Sequence, residues 1–215
     1  MEDRLKVEDL KNMFIFVAEH VIEHEEFLTA IDQRIGDGDH GINMALGFKE
    51  VRRKLELEAH ENVNEVFQCV GMTLLDTMGG ASGVLFGTVF ISGIVGLEPQ
   101  KDIDLSTFAR IFQSSLAALK KRGKAKVGDK TMIDAFEPAT LALLSAADIG
   151  LSFTEALTLA AEKAREGMEK TKQYVARFGR AKSYGEAAIG HADAGAVSVS
   201  LIFQAMARWM RDNIR

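Results

Sequence analysis

The sequence predicts an all-α protein of about eight helices, and three observations carry that prediction. No run shows the clean two-residue alternation of a half-buried strand. Val7, Leu10, Phe14, Val17, Val21 and Leu28 recur at helical spacing, and the same period returns in every long segment. The chain also has 19 glycines against only 2 prolines, the usage of long helices punctuated by glycine turns.

Taken in order, the helical segments are roughly 6–30, 40–58, 62–76, 82–96, 104–122, 132–148, 152–176 and 194–213. Asn62 with Glu65, and Ser152 with Glu155, have the spacing of capping boxes, in which each partner satisfies an unbonded N–H at a helix start. The segment from Thr77 to Leu97 carries no charge and repeats small residues at Gly79, Gly83 and Gly87. It is long enough to span a bilayer. Its flanks are Asp76 and Glu98 rather than basic anchors, so it reads as a fully buried central helix. Pro138 should kink or delay the sixth helix, because it lacks a donor and crowds the preceding turn. On the last helix Met206 and Trp209 read as core, while Arg208, Arg211 and Arg215 suit the negative end of the helix dipole. Cys69 reads as a core residue rather than a nucleophile, and His20, His24 and His60 as exposed.

The 215 residues form one expected domain, 1–215, without internal repeat, linker or low-complexity stretch. A chain of this length buries roughly 70% of its unfolded surface and needs no disulfide or structural metal. The single cysteine permits no internal bridge, and residues 1–11 lack the apolar core of a signal peptide, so a cytoplasmic location is expected. The formal net charge is −5, and the longest basic run is Lys120-Lys121-Arg122. Nucleic acid is therefore excluded as a partner, since that affinity comes mainly from neutralising many phosphates, and no membrane partner is expected.

The connections sort into two kinds. Those at 59–61, 97–103 and 149–151 are short or chemically plain. Four others hold most of the unusual residues: Asp32 to Gly41, Thr77 to Gly83, Gly123 to Thr131 and Gly179 to Gly195. If successive helices run up and down, alternate connections share one end of the bundle, and the four conspicuous loops converge there.

The first loop places Asp32, Asp37 and Asp39 within eight residues, interleaved with Gly36, Gly38 and Gly41. Carboxylates so close repel one another unless spread through solvent or gathered on a cation. An all-oxygen donor set suits Mg²⁺. An EF-hand counted from Asp37 would have Gly41 at position five and Phe48 at position twelve, which removes calcium's required ligands. The competing interpretation is a solvated acidic turn in which Asp39 favours the positive end of the next helix. In the second loop, Gly79-Gly80-Ala81-Ser82-Gly83 exposes unbonded amides at a helix start, as phosphate sites do, yet no Walker lysine follows; close helix packing is the alternative. The third loop, Gly123 to Thr131, could border a nucleotide or be a surface turn. In the fourth, Arg180 follows Gly179, and Asp193 stands where a helix N-cap is expected, before Ala194-Gly195, a role that needs no ligand.

The blocks Gly36-Asp37-Gly38-Asp39-His40-Gly41-Ile42-Asn43-Met44, Gly71-Met72-Thr73-Leu74-Leu75, Gly79-Gly80-Ala81-Ser82-Gly83, Gly128-Asp129-Lys130-Thr131-Met132 and Gly190-His191 occur in one order along the chain. Together they resemble the nucleotide-binding L subunit (DhaL) of bacterial dihydroxyacetone kinase, over essentially the whole sequence. The resemblance implies an eight-helix up-and-down antiparallel barrel with ADP or ATP and two Mg²⁺ ions at one end. It assigns the metal carboxylates to Asp32, Asp37 and Asp39. It assigns nucleotide contacts to His40, Gly41, Ile42, Asn43, Ala81, Ser82, Gly123, Met132, Arg180, Asp193, Ala194 and Gly195. Two departures accompany it: Asp193-Ala194-Gly195 stands where the family has Asp-Pro-Gly, and Arg180-Ala181-Lys182-Ser183-Tyr184-Gly185-Glu186 where it has Arg-Ala-Ser-Tyr-Leu-Gly-Glu.

The function implied is a kinase subunit that transfers a phosphoryl group to dihydroxyacetone held on a separate subunit. Bound ADP would act as a cofactor recharged by a phosphoprotein of the sugar phosphotransferase system. Phosphoryl transfer needs mainly positioning and charge neutralisation, so no nucleophile is required of this chain. The alternatives are an ATP-dependent kinase subunit for another short ketose or sugar alcohol, and a nucleotide-sensing adaptor for a transcription regulator. A homodimer is compatible with each.

Overall fold

The computed structural model describes residues 4–214, and the predicted periodicities become a ring of α-helices. These are α1 (Val7–Glu23), α2 (Glu25–Asp32), α3 (His40–Leu57), α4 (Val63–Thr77), α5 (Gly80–Gly93), α6 (Leu105–Gly123), α7 (Ile133–Asp148), α8 (Phe153–Lys170) and α9 (Ala194–Asn213). Each packs on the next around the ring, α1 on α3, then α4, α5, α6, α7, α8 and α9, and α9 returns to α1 to close the barrel. The protein is all-α, as its sequence predicts. No helix of the described residues is long and apolar enough to cross a membrane.

The first predicted helix is two. His24 turns its Nδ1 toward the carbonyl of His20, 2.7 Å away, while its own amide reaches back only three residues, to Val21 O. That substitution of a side chain for the backbone partner breaks the rod, and α2 bends away to carry Asp32 to the barrel's end. His20, His24 and His60 are all half-buried rather than exposed.

Two three-residue strands were not predicted. β1 (Arg4–Lys6) and β2 (Asp102–Asp104) pair antiparallel with Leu5 opposite Ile103, both buried, and with Arg4 bound to Asp102. The alternation covers too few residues to register as a strand pattern. This small ladder stands at one end of the barrel, where Val7 N donates to Lys101 O, Val63 N to Gln100 O, and Asn64 Nδ2 to Leu97 O.

Ser152 and Glu155 form the reciprocal capping box at the start of α8. Asn62 caps α4 by accepting from Glu65 N, but the Glu65 carboxylate accepts from Glu61 N and the Asn62 side-chain Nδ2 rather than from the Asn62 backbone N–H. The core divides into two aromatic groups: Phe14, Phe67 and Phe90 in one, and Phe108, Phe112, Phe136, Phe153 and Phe203 in the other. Trp209 and Met206 belong to the core as predicted. Arg208 lies over the Phe16 ring and pairs with Asp212, as does Arg211; Arg215 is outside the described residues.

The uncharged segment 77–97 is not the most enclosed helix. α5 sits in the barrel wall, and α9 is the one buried on nearly every face, from Ala196 to Met210. The lack of charge on α5 has another cause: its flanks lie tight against α4 and α6. A Cβ at Gly71 of α4 would come within 3.0 Å of Gly87 O, and one at Gly93 within 2.6 Å of Ile111 O.

α7 runs through Pro138 without a late start. Proline leaves the carbonyl of Asp134, four residues back, without its helical donor. That carbonyl faces Gly167 of α8, where an added Cβ would sit 2.0 Å from the oxygen. Helix propensity alone would make Gly167→Ala stabilising by about 1 kcal/mol. We expect the opposite sign, a loss of about 1–3 kcal/mol from overpacking, read as a lower urea midpoint.

Candidate functional site

The first loop is arranged by a carboxylate at the end of α2. Asp32 Oδ2 accepts from the amides of Gly38, at 2.9 Å, and His40, at 3.3 Å, so the chain turns around it. Glycine is needed twice here: a Cβ at Gly36 would fall 2.1 Å from Asp32 Oδ1, and Gly38 has φ +79°. The turn brings Asp32, Asp37 and Asp39 to one point, each offering a carboxylate oxygen within 4.8 Å of the other two. Burial, followed by the charges of Asp37 and Asp32, raises the pKa of Asp39. Arg180 Nη2 approaches Asp37 Oδ2 to 2.7 Å and supplies the nearby positive charge.

Facing this loop is the start of α5, whose N-cap is Gly79 and which has no side-chain cap. Gly80, Ala81 and Ser82 line the space between, so the uncapped helix start borders it, the arrangement that favours an anion. His40 fixes the separation of the two walls. Its Nε2 lies 2.7 Å from Ser198 Oγ of α9 and its Nδ1 3.3 Å from Ser82 Oγ of α5. Burial lowers its pKa, so the ring is a neutral strut between three helices rather than a charge.

The third wall is the turn before α7. The Asp134 carboxylate accepts from Gly128 N at 2.6 Å and Thr131 N at 2.7 Å and folds the turn back onto its own helix. Burial raises its pKa despite those donors. Lys130 has a left-handed φ of 60° and is almost wholly buried; its Nζ donates to Thr171 O and His191 O, at 2.6 and 2.5 Å. One ammonium thus ties the turn to both ends of the α8–α9 connection. It also lies close enough to Asp193 for their charges to interact.

That connection covers the cleft. Two short 3₁₀ turns across Arg180–Ala188, broken by a kink at Gly185 with φ 55°, follow Gly179, and Ala176, Ala181 and Ala188 pack against Ile35 of the aspartate loop. Tyr184 donates its hydroxyl to Gly36 O at 3.3 Å, so the cap is held at the same loop that gathers the carboxylates. Asp193 is the N-cap of α9, accepting from Ala196 N at 2.8 Å. Burial pushes its pKa up to about 7, with Asp134 adding to the rise and Lys130 opposing it.

These four loops enclose a cleft of about 290 Å³. Of the residues predicted from sequence, Asp32, Asp37, Asp39, His40, Asn43, Ala81, Ser82, Met132, Arg180, Asp193, Ala194 and Gly195 line it. Gly41, Ile42 and Gly123 do not. Gly41 lets α3 lie on α2, since a Cβ there would meet Glu25 O at 2.3 Å; Ile42 faces outward; Gly123 is half-buried at the end of α6, where an added Cβ would come no closer than 3.9 Å to the Leu85 side chain. Sequence reasoning missed Ile35, Leu85, Phe86, Lys130, Thr131 and Phe178, which also line the cleft. Lys130 carried a signal, a lone base inside a Gly-Asp-Lys-Thr turn. The apolar residues had none, because their periodicity is that of any core position.

With this geometry in place, comparison with known proteins is decisive. Residues 34–208 match the model of the DAK2 domain. The chain belongs to the DAK2 domain family. Among curated DAK2 relatives, it is 40% identical over 182 residues to the protein named PEP-dependent dihydroxyacetone kinase, ADP-binding subunit DhaL, of Escherichia coli, covering 85% of this chain and 87% of that one. It is 39% identical over 188 residues to a protein of Listeria innocua also named an ADP-binding subunit DhaL, covering 87% and 89%. Among solved structures it superposes on the dihydroxyacetone kinase of C. freundii in native form with a TM-score of 0.74 at 27% identity. The same kinase in complex with AMP-PNP and Mg²⁺ gives 0.73 at 29% identity. The match covers 93% of this chain but only 34% and 33% of those longer chains.

In this DAK2 chain Asp193 gives a pH dependence whose sign is fixed. Its folded pKa, about 7, lies above the ordinary 3.8, so between those values the folded state binds the extra proton. Stability contributed by the protonated group is full below about pH 4 and lost as pH rises through 7. Relative to Asp193→Asn, the metal-free protein should lose on the order of 1 kcal/mol per pH unit across that window, measured by urea unfolding at stepped pH.

Proposed function

We propose that this chain is the nucleotide-carrying subunit of a dihydroxyacetone kinase, acting in the cytoplasm and handing a phosphoryl group to dihydroxyacetone held on a separate subunit. The observation that carries the proposal is the convergence of Asp32, Asp37 and Asp39 across a cleft from the uncapped start of α5. An oxygen-only cage beside free backbone amides suits a hard cation and a polyphosphate together. The names of the relatives support the same reading, since they are called ADP-binding subunits of dihydroxyacetone kinase.

The three aspartates fit Mg²⁺: burial first, and then the charges of Asp37 and Asp32, raise the pKa of Asp39, and a cation would relieve that repulsion. Asp32, Asp37 and Asp39 are the residues that would hold the metal, for which we assign two ions. When bound, Mg²⁺ supplies charge neutralisation and a template for phosphate oxygens. The chain's own residues do the remaining work. The amides of 80–82 offer donors to phosphate, Arg180 holds Asp37 and adds a positive charge at the cleft mouth, and Met132 gives the base an apolar wall. His40, neutral and bound to two hydroxyls, keeps the aspartate loop and the α5 start at a set distance. The Arg180–Ala188 cap excludes water from the phosphates by packing on Ile35.

The reaction we assign uses ADP as a retained cofactor, charged by a phosphotransferase-system phosphoprotein and discharged to the ketose. The words "PEP-dependent" in the relatives' names favour this over exchange of free ATP. ADP is then expected to stay with the protein through gel filtration in Mg²⁺ buffer; nucleotide-free protein that turns over ATP overturns the cofactor role.

Replacing Asp37 and Asp39 together with Ala should weaken Mg-ADP binding by roughly 10² or more in calorimetric titration, since each charged contact is worth about 1.5–3 kcal/mol. Unchanged affinity would remove these residues from the metal site. Arg180→Ala should slow transfer to dihydroxyacetone by roughly 10²–10³, the usual cost of one lost transition-state donor, with helicity unchanged in circular dichroism.

A further inference from the structure

The far end of the barrel carries a second group of metal-ligating side chains, with a different donor set. Glu58 is the C-cap of α3, His60 lies in the connection that follows, and Cys69 is two turns into α4. They offer a carboxylate oxygen, an imidazole nitrogen and a thiol sulfur, all within 4.8 Å of one another. α3 has 18 residues and starts at the aspartate loop, which puts the two groups about 27 Å apart. Neither can serve the other's ligand.

Two further observations bear on what the second group would hold. The Nδ1 atom of His60 is buried and has no hydrogen-bond partner, which is costly for a polar atom. The Cys69 thiol points at Glu58 Oε2 from 3.9 Å, a long contact to a like-charged neighbour once the thiol ionises. Burial and the Glu58 carboxylate accordingly push the thiol's pKa up, and Lys54 offsets this only in part. A divalent ion among the three would take one nitrogen of this under-bonded His60 ring and turn the sulfur–carboxylate repulsion into shared attraction. Glu65, at the rim of the same open pocket, is already committed: its oxygens accept from Glu61 N at 2.7 Å and Asn62 Nδ2 at 2.8 Å.

We propose that Glu58, His60 and Cys69 form a binding site for a borderline-soft divalent transition-metal ion, of which Zn²⁺ is the representative, with solvent completing its coordination. Sulfur and nitrogen donors select such ions over Mg²⁺, so the two ends of the barrel sort metals by donor type. Binding is a simple exchange: the Cys69 S–H proton leaves to solvent, a metal–sulfur bond forms, and no atom changes oxidation state. The ion would clamp the end of α3 to α4 across a connection held at present by one N-cap and a carboxylate.

The test uses the whole chain, saturated with Mg²⁺ and kept reduced by a phosphine. Titration with Co²⁺ should give a near-ultraviolet thiolate-to-cobalt charge-transfer band that saturates at one equivalent, and one equivalent of Zn²⁺ should abolish it with release of about one proton. Cys69→Ser should lose the band, and His60→Ala and Glu58→Gln should each weaken Zn²⁺ binding at least roughly tenfold by competition. Asp37→Ala with Asp39→Ala should retain it. If Cys69→Ser fails to fold, the other two variants decide. Absence of the thiolate band, or Zn²⁺ affinity unchanged in both His60→Ala and Glu58→Gln, overturns the proposal.

Discussion

Three carboxylates held within 4.8 Å of one another are the constraint from which the rest of the cleft follows. Each pair repels by roughly 1–3.5 kcal/mol, depending on whether the effective dielectric is that of water or of a protein surface. The fold resists that repulsion with backbone. Two amides hold Asp32, the absence of side chains at Gly36 and Gly38 lets the loop close around it, and Arg180 reaches over to Asp37.

The other walls are positioned by buried polar groups, each joining elements distant in sequence. His40 links α3 to α5 and α9; Lys130 links the turn before α7 to both ends of the α8–α9 connection; Asp134 folds that turn onto α7. Each group is buried with its partners satisfied, the condition under which a polar network specifies one arrangement. The barrel core beneath, two sets of packed phenylalanines, supplies bulk stability but says nothing about the chemistry. The polar struts set the positions of the walls at the mouth, and the donors gathered between them are all oxygen.

Much of this was readable along the chain. Every predicted helical segment holds helix, though 6–30 is two helices and 152–176 leaves the α-helix at Lys170, because a 3.6-residue apolar period and an N-cap such as Asn62 or Ser152 act locally. The aspartate loop was readable because three acids and three glycines in so short a span make little sense as helix or core. Less readable was anything set by a neighbour. The break at His24 depends on which acceptor its ring takes. The passage of α7 through Pro138 depends on Gly167, nearly thirty residues later, leaving room for an orphaned carbonyl. α5 looked central by its lack of charge, whereas enclosure on all sides belongs to α9, which closes the ring between α8 and α1.

The amino-acid sequence by itself determined the helices, the four conspicuous loops and the acidic character of one of them, since periodicity, capping and turn chemistry are short-range. Tertiary structure alone decided which side chains face the cleft. Gly41 went to packing and Gly123 to the end of α6 outside the cleft, Lys130 to the site's frame, and His60 and Cys69 came together at the opposite end. The physical reason is that a side chain's surroundings are set by how helices far apart in the chain rotate and close on one another, and no local pattern encodes that rotation.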